Sequence, residues 1–253
     1  GSLNASTGYE RTSFDVRGVE GSLGLSMQVL SDLLFQPTLD PAEIVREKDV
    51  VAQEIAEAFD TPDDHVFAMA QATAFFDQSL GRPILGSVES LKPVTREMIS
   101  QWRAALYSPD RMVVSISGGV DEDEFLKLAE QWFGTAKATA APTVDAAEFI
   151  GGEARMARKI EQANLVFRMV GPDARSPDMP VARLFTEILG GGMASRLFQS
   201  AREERGLAYA IDAYMEPYDD IGLIGIYAGA AAERSQELAQ VCAEQVVELA
   251  TGG

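Results

Sequence analysis

Three groups of residues in this chain have the types and spacing to do chemistry. Glu47 and Glu54 stand seven residues apart in a helical stretch. That spacing puts both carboxylates on one face, about 10.5 Å apart along the axis. One could ligate a metal and the other support it; the ordinary alternative is a solvated acidic stripe, here interrupted by Val51. Arg202 and Tyr209 are also seven apart, but Gly206 breaks the helix between them. A guanidinium and a phenol on either side of a helix–strand corner could hold a peptide carbonyl or a developing oxyanion. The structural alternative pairs Arg202 with Glu203 or Glu204 and packs the tyrosine. The third group is the run Gly190-Gly191-Gly192, followed by Ser195 at an N-cap position and a helix bearing Arg196, Arg202 and Arg205. Such glycines permit positive φ or close backbone approach. No Gly-Lys-Ser/Thr comes after them, so this is no P-loop, and the strand comes after the helix, so it is no dinucleotide fingerprint.

The elements that must carry these groups are read from periodicity and punctuation. A strand-like opening over 5–16 leads into apolar residues at helical spacing from Leu23 to Phe35. Asp40 as N-cap, Pro41 at the first position and Glu43 start a helix that runs to about Phe59 and carries both glutamates. Further helices are predicted near 64–76, 95–106 and 121–133, the last capped by Asp121. Met112–Ser117 reads as a strand, as does a stretch near 163–170. A helix over 178–189 precedes the glycine run, a hairpin over 207–228 turns at Pro217-Tyr218-Asp219-Asp220, and a last helix spans about 232–250. The Ala-, Thr- and Pro-rich segment 136–147 has no periodicity and divides the chain into 1–135 and 148–253.

Composition narrows the function classes. A net charge of −18 over 253 residues argues against nucleic acid and anionic membrane surfaces. No apolar run is long enough for a membrane span, and no signal peptide is visible. The single cysteine, Cys242, forms no internal disulfide and reads as a buried apolar residue. The single histidine, His65, reads as a solvated residue at a helix start; alone it cannot build a histidine-based zinc site.

A weak internal repeat is present. Thr12–Leu34 gives a strand, a small-residue turn and an amphipathic helix, and Ile221–Leu249 gives the same succession. The elements after the first copy have no counterpart after the second, and those before the second have none before the first. The expectation is two similar α+β domains, each incomplete, with antiparallel sheets under helices. The alternative is that the two parts combine as one permuted domain.

Leu-Gly-Gly-Gly-Met-Ala-Ser-Arg-Leu-Phe and Arg-Glu-Glu-Arg-Gly-Leu-Ala-Tyr, over 189–209, resemble the second-domain signature of insulinase/pitrilysin-type zinc peptidases. The similarity is to the branch containing mitochondrial processing peptidase and its bacterial relatives. Leu3-Asn4-Ala5-Ser6-Thr7 resembles the family's edge strand, and Glu47 to Ile55 followed by Asp60-Thr61-Pro62-Asp63 its third-ligand helix. Gly81-Arg82-Pro83-Ile84-Leu85-Gly86 resembles its Gly-x-x-Ile-x-Gly segment. The resemblance implies two α+β domains around a chamber and zinc held by two histidines and a distant glutamate, with a second glutamate of an H-x-x-E-H motif as general base. It assigns Glu54 as the distant ligand and Glu47 as its support. Asn4 and Ala5 become the edge on which a peptide lies, and Arg202 and Tyr209 the pair that reaches the substrate. It further implies peptide substrates and homo- or hetero-oligomers; the composition reads as that of a soluble protein, with bacterial cytoplasm or periplasm the expected compartment. H-x-x-E-H is absent and is expected upstream of Gly1. This chain alone is therefore expected to hold zinc poorly and to be inactive, a fragment of a zinc endopeptidase. A non-catalytic structural or substrate-binding subunit is the alternative.

Overall fold

The structure is a computed structural model that describes residues 1–252. By contact the chain separates into two compact units, residues 1–55 with 84–145 and residues 56–83 with 146–253. Segment 56–83, which precedes the 136–147 stretch in the sequence, thus packs within the second unit. Among the described residues the strands form two separate sheets.

In the first unit, β1 (Ser2–Thr7) and β2 (Thr12–Arg17) form an antiparallel hairpin, in register from Ser2 opposite Arg17 to Thr7 opposite Thr12. The helices are α1 (Leu23–Phe35), most of α2 (Pro41–Asp60), α4 (Val88–Leu91), α5 (Arg96–Leu106) and α6 (Glu122–Phe133), and α3 (Pro62–Ala74) belongs to the second unit. The caps work as their residue types dictate. Asp40 Oδ1 accepts from Ala42 N at 2.8 Å, and Asp121 Oδ1 from Glu124 N at 2.8 Å. Pro41 fills the first position of α2, where its missing N–H leaves no helical bond unmade. α1 packs on α6 through Phe35 and Phe133, ring centroids 5.8 Å apart, and Ser31 Oγ donates to Trp132 O at 2.9 Å.

Met112–Ser117 is not a strand. Residues 112 and 114 are half-buried and 113 and 115 exposed, so the alternation that predicts a strand is there. No ladder partner pairs with it among the described residues, and a strand exists only as one member of a pair.

The second unit is built on a three-stranded antiparallel sheet of order β3-β5-β4, with β3 Ala163–Gly171, β4 Ala208–Pro217 and β5 Gly222–Ala230. Its registers, Phe167 opposite Ile226 and Ala213 opposite Ile226, set the apolar side chains of all three strands on one face. That face is covered by α7 (Met179–Gly190), a π-helix over Phe198–Glu204 and α8 (Ser235–Ala250). Leu189, Leu197, Ile226, Leu238 and Val241 are at most 1% exposed in this core. Each contributes about 1.5–3 kcal/mol by leaving water. Cys242 is in the same core, and burial pushes its thiol up to about 12.

The other face of the sheet is polar and carries α3. Arg168 of β3, its side chain 6% exposed, ion-pairs with Glu216 of β4. The same Nη1 donates to Gln71 Oε1 of α3 at 2.7 Å. Gln71 in turn donates to Leu80 O at 2.9 Å, and the Tyr218 hydroxyl donates to Glu216 at 3.3 Å. Phe67 of α3 lies against Tyr214 and Tyr227, with centroids 5.5 and 5.4 Å away. Burial pushes the Tyr214 phenol up.

Both faces can be tested through stability and reactivity. Arg168→Ala leaves Gln71 and Glu216 without their shared donor and is expected to cost about 3 kcal/mol, read as a lower urea midpoint at unchanged m-value. The Cys242 thiol is expected to ignore a disulfide reagent at pH 8 until denaturant is added. Its folded pKa is raised, so its stabilising contribution is complete below the unfolded value of about 8.5 and is lost as pH rises toward the folded value. A native chain that reacts as fast as the unfolded one would contradict this burial.

Candidate functional site

In the first unit, Asn4 and Ala5 lie in β1 opposite Asp15 and Phe14. All six residues of β1 are exposed. β2 pairs with it on one side only, and its second edge has no partner among the described residues. An unpaired edge presents backbone N–H and C=O groups that can take up another strand. Glu47 and Glu54 both lie exposed on α2, a continuous 20-residue helix without a buried residue. Seven residues of unbroken helix keep the two carboxylates on one face. Neither side chain has an ion-pair or hydrogen-bond partner among the described residues.

In the second unit, the corner that bears Arg202 and Tyr209 is made by two irregularities. After Leu197 the helix widens to π geometry over Phe198–Glu204, and Arg202 sits in its last turn with its guanidinium 4.7 Å from the Phe198 ring centre. That stacking replaces the salt bridge to Glu203 or Glu204 that the sequence allows. Gly206 then takes φ +57, a left-handed conformation, and donates to Arg202 O at 3.1 Å while Leu207 N donates to Ala201 O at 2.7 Å. The chain enters β4 through a bulge: the β4–β5 register shifts between Ala208 and Ala210, leaving Tyr209 without a cross-strand partner and 64% exposed. A bulge re-aims the side chain it carries. Arg202 and Tyr209 therefore stand exposed at opposite ends of one turn, with no hydrogen bond between them among the described residues.

The glycine run serves close approach. None of Gly190, Gly191 and Gly192 has positive φ. A Cβ on Gly190 would fall 2.3 Å from Ala213 N, so a larger residue there would push α7 off β4. Ser195 precedes the first helical residue as its type suggests, but its hydroxyl is buried and makes no cap bond. His65 lies in the first turn of α3, as expected, but half-buried rather than solvated: its ring centroid is 4.7 Å from that of Phe59, and its Nε2 is buried without a partner among the described residues.

Sequence reasoning missed the polar face of the second sheet. Its signal was the charge of Arg168 inside the apolar run Leu165-Val166-Phe167-Arg168-Met169-Val170, which a strand tolerates only with a buried partner. On the same face, Pro62, Asp63, Ile160, Glu161, Gln162, Asn164 and Tyr227 line an open cleft of about 580 Å³. There the Tyr227 hydroxyl donates to Asn164 Oδ1 at 2.8 Å, and its phenol is pushed up by burial and by the Asp63 and Asp212 carboxylates.

A three-stranded antiparallel sheet with helices on its apolar face, and a separate two-stranded hairpin in a helical unit, make an α+β protein. Residues 1–88 match Insulinase (Peptidase family M16), residues 93–253 match the Peptidase M16 inactive domain, and the chain belongs to this family. It is 34% identical to the "Uncharacterized zinc protease YmxG" of Bacillus subtilis, over 100% of this chain and 62% of that protein. A protease from Helicobacter pylori superposes with a TM-score of 0.84 at 17% identity, over 95% of this chain and 61% of that one. A chain of Complex III2 from Candida albicans does so with a TM-score of 0.84 at 18% identity, over 96% and 61%. The chain thus spans about six-tenths of the length of these relatives.

Zinc is implied by such relatives, and the chain's own residues do not compose a site for it. No group of three or more His, Cys, Asp or Glu side chains converges among the described residues. The one histidine is committed to the Phe59 stack, and the one thiol is buried. No helix among the described residues is long and apolar enough to cross a membrane.

Because Tyr209 is exposed, Tyr209→Phe is expected to change stability by less than about 0.5 kcal/mol. Gly206→Ala, forced into positive φ, is expected to cost about 1 kcal/mol or more. Thermal melts of both variants test the corner: equal shifts for the two would show that it is not built as described.

Proposed function

We propose that this chain is the part of a zinc endopeptidase that grips an extended peptide and supplies one distant carboxylate ligand. In this reading residues 1–135 carry Glu54 as that ligand, with Glu47 supporting it, and the edge strand on which the peptide lies along Asn4 and Ala5. Residues 148–253 carry the grip, Arg202 and Tyr209. The observation that carries it is the bulge at Tyr209 beside a π-helix at Arg202, two irregularities at one corner that leave a phenol and a guanidinium exposed. Both groups donate hydrogen bonds, the guanidinium with a fixed positive charge, so together they suit a carbonyl oxygen that gains negative charge during acyl transfer. The β1 edge offers backbone pairing that is indifferent to sequence, as a peptidase of broad substrate range needs.

When bound, the metal would activate the attacking water. The paired histidines and general base that such chemistry needs are not residues of this chain, so alone it binds peptide without cutting it. A non-catalytic structural or substrate-binding subunit is the second reading.

Two measurements decide between them. The 253-residue chain is expected to bind an unstructured fluorescent peptide, and Arg202→Ala to weaken that binding by roughly tenfold. The full-length protein that contains this chain is expected to cleave a quenched peptide, with Tyr209→Phe lowering kcat by roughly 100-fold at little change in KM, and Glu54→Gln abolishing cleavage. Binding without cleavage by the full-length protein supports the subunit reading; neither binding nor cleavage overturns both.

A further inference from the structure

We propose that Phe198 is the positioning residue of the Arg202 grip, holding the guanidinium over its ring so that the N–H edge is already placed when a peptide carbonyl arrives. The proposal rests on the reading that Arg202 grips peptide, and its test separates the two. Phe198 and Arg202 stand four residues apart in the π-helix, on one face of it. The guanidinium carbon lies 4.7 Å from the ring centre, inside the range of about 6 Å over which a ring face holds an arginine. The ring itself is anchored. Phe198 is half-buried, and Leu197 and Ala201 beside it are fully buried in the core, whereas Arg202 is exposed. Both partners belong to one turn of one helix, so the contact is set locally.

Comparison with the chain's other arginine–ring contacts sets this one apart. Three arginines lie over rings among the described residues. Arg158, over Phe59, also donates to Phe59 O and pairs with Asp60. Arg168, over Tyr214, is bound by Gln71 and Glu216. In both, hydrogen bonds fix the guanidinium and the ring is an accessory. Arg202 has no hydrogen-bond or ion-pair partner among the described residues, so the ring alone restrains it. A carboxylate would fix the cation and occupy its donors; a ring face attracts the cation through its quadrupole and leaves the donors at the guanidinium edge unoccupied. An unrestrained arginine would lose its rotamer freedom each time a ligand bound, and that loss weakens binding. Phe198 therefore raises the affinity for a carbonyl that it does not touch, and the property that matters is its π face rather than its bulk.

The test is binding of an unstructured fluorescent peptide by the 253-residue chain, with circular dichroism verifying that each variant keeps its fold. Phe198→Leu keeps an apolar side chain and removes the ring. It is expected to raise the Kd roughly fourfold, a part of the roughly tenfold expected for Arg202→Ala. Phe198→Tyr keeps the ring and is expected to stay within about twofold of the unaltered chain. In the Arg202→Ala background, Phe198→Leu is expected to change the Kd by less than about twofold, because a residue that acts through Arg202 then has nothing to position. The Arg202 side-chain proton resonances supply a reading that needs no ligand. Ring current is expected to move them upfield in the unaltered chain and in Phe198→Tyr, and Phe198→Leu to return them to the unstacked position. Unshifted resonances in the unaltered chain overturn the proposal whatever the binding shows. So does a weakening by Phe198→Leu that persists without Arg202, since the ring would then contact the peptide or support the fold directly. If Arg202→Ala weakens binding and Phe198→Leu does not, the grip stands and the positioning role is overturned. If Arg202→Ala leaves binding unchanged, or the unaltered chain binds no peptide, the grip reading fails and takes the proposal with it.

Discussion

The second unit depends on one constraint: a three-stranded sheet must hide an apolar face and find partners for a polar one. The apolar face is served by ordinary means, since α7, the π-helix and α8 bring leucines and a valine against β-branched and small strand residues. The polar face is the harder problem, because a buried guanidinium without partners is strongly unfavourable. Arg168 finds them in Glu216 of β4 and in Gln71 of α3, and the second contact recruits a helix from far earlier in the chain. Segment 56–83 therefore belongs to the second unit by chemistry as well as by proximity. Arg158, whose guanidinium lies 4.8 Å from the Phe59 ring centre and donates to Phe59 O, fastens the start of the same segment.

How much of this could be read in the sequence depends on whether the information is local. Asp40-Pro41 and Asp121 set helix starts by bonds reaching two or three residues, so they were legible. The hairpin at Pro217 to Ile221 was legible for the same reason, and Tyr218 N closes it on Ile221 O at 2.8 Å. Met112–Ser117 misled, because alternation reports which side chains face inward and not whether a neighbouring strand exists. The grouping of α3 with a sheet about a hundred residues later has no local signature at all. It rests on Arg168 and on Phe67 against Tyr214 and Tyr227, contacts known only once the fold is.

The corner at Arg202 and Tyr209 shows the same division at smaller scale. Gly206 announced a helix end, and its positive φ supplies one. The widening of the helix to π geometry was not legible. It adds a residue to the turn that Leu207 closes on Ala201 O, and nothing in Phe198 to Glu204 distinguishes that turn from an α-helical one. The bulge at Tyr209 is a separate extra residue in the β4–β5 register, equally without a local signature. Glycine at 190 was legible as a special position, but its reason was steric contact with Ala213 and not a turn.

Charge economy joins these observations. The chain has 39 acidic residues and 21 basic ones, so a cation is rarely short of an anion or carbonyl to bind. Several of its arginines act as fasteners between distant segments: Arg103 on Leu34 O, Arg111 on Thr139, Arg158 on Phe59 O, Arg168 on Gln71 and Glu216, Arg196 on Gln245 and Glu248. In such a background an arginine that stays exposed without an acidic partner needs a reason beyond folding. Among the described residues Arg202 is engaged by the face of Phe198, which orients the guanidinium and leaves its N–H groups free to donate. A salt bridge to Glu203 or Glu204 was available within one residue and would have neutralised it. In the observed π-helix Arg202 lies against the aromatic ring instead, an arrangement compatible with the grip proposed for it.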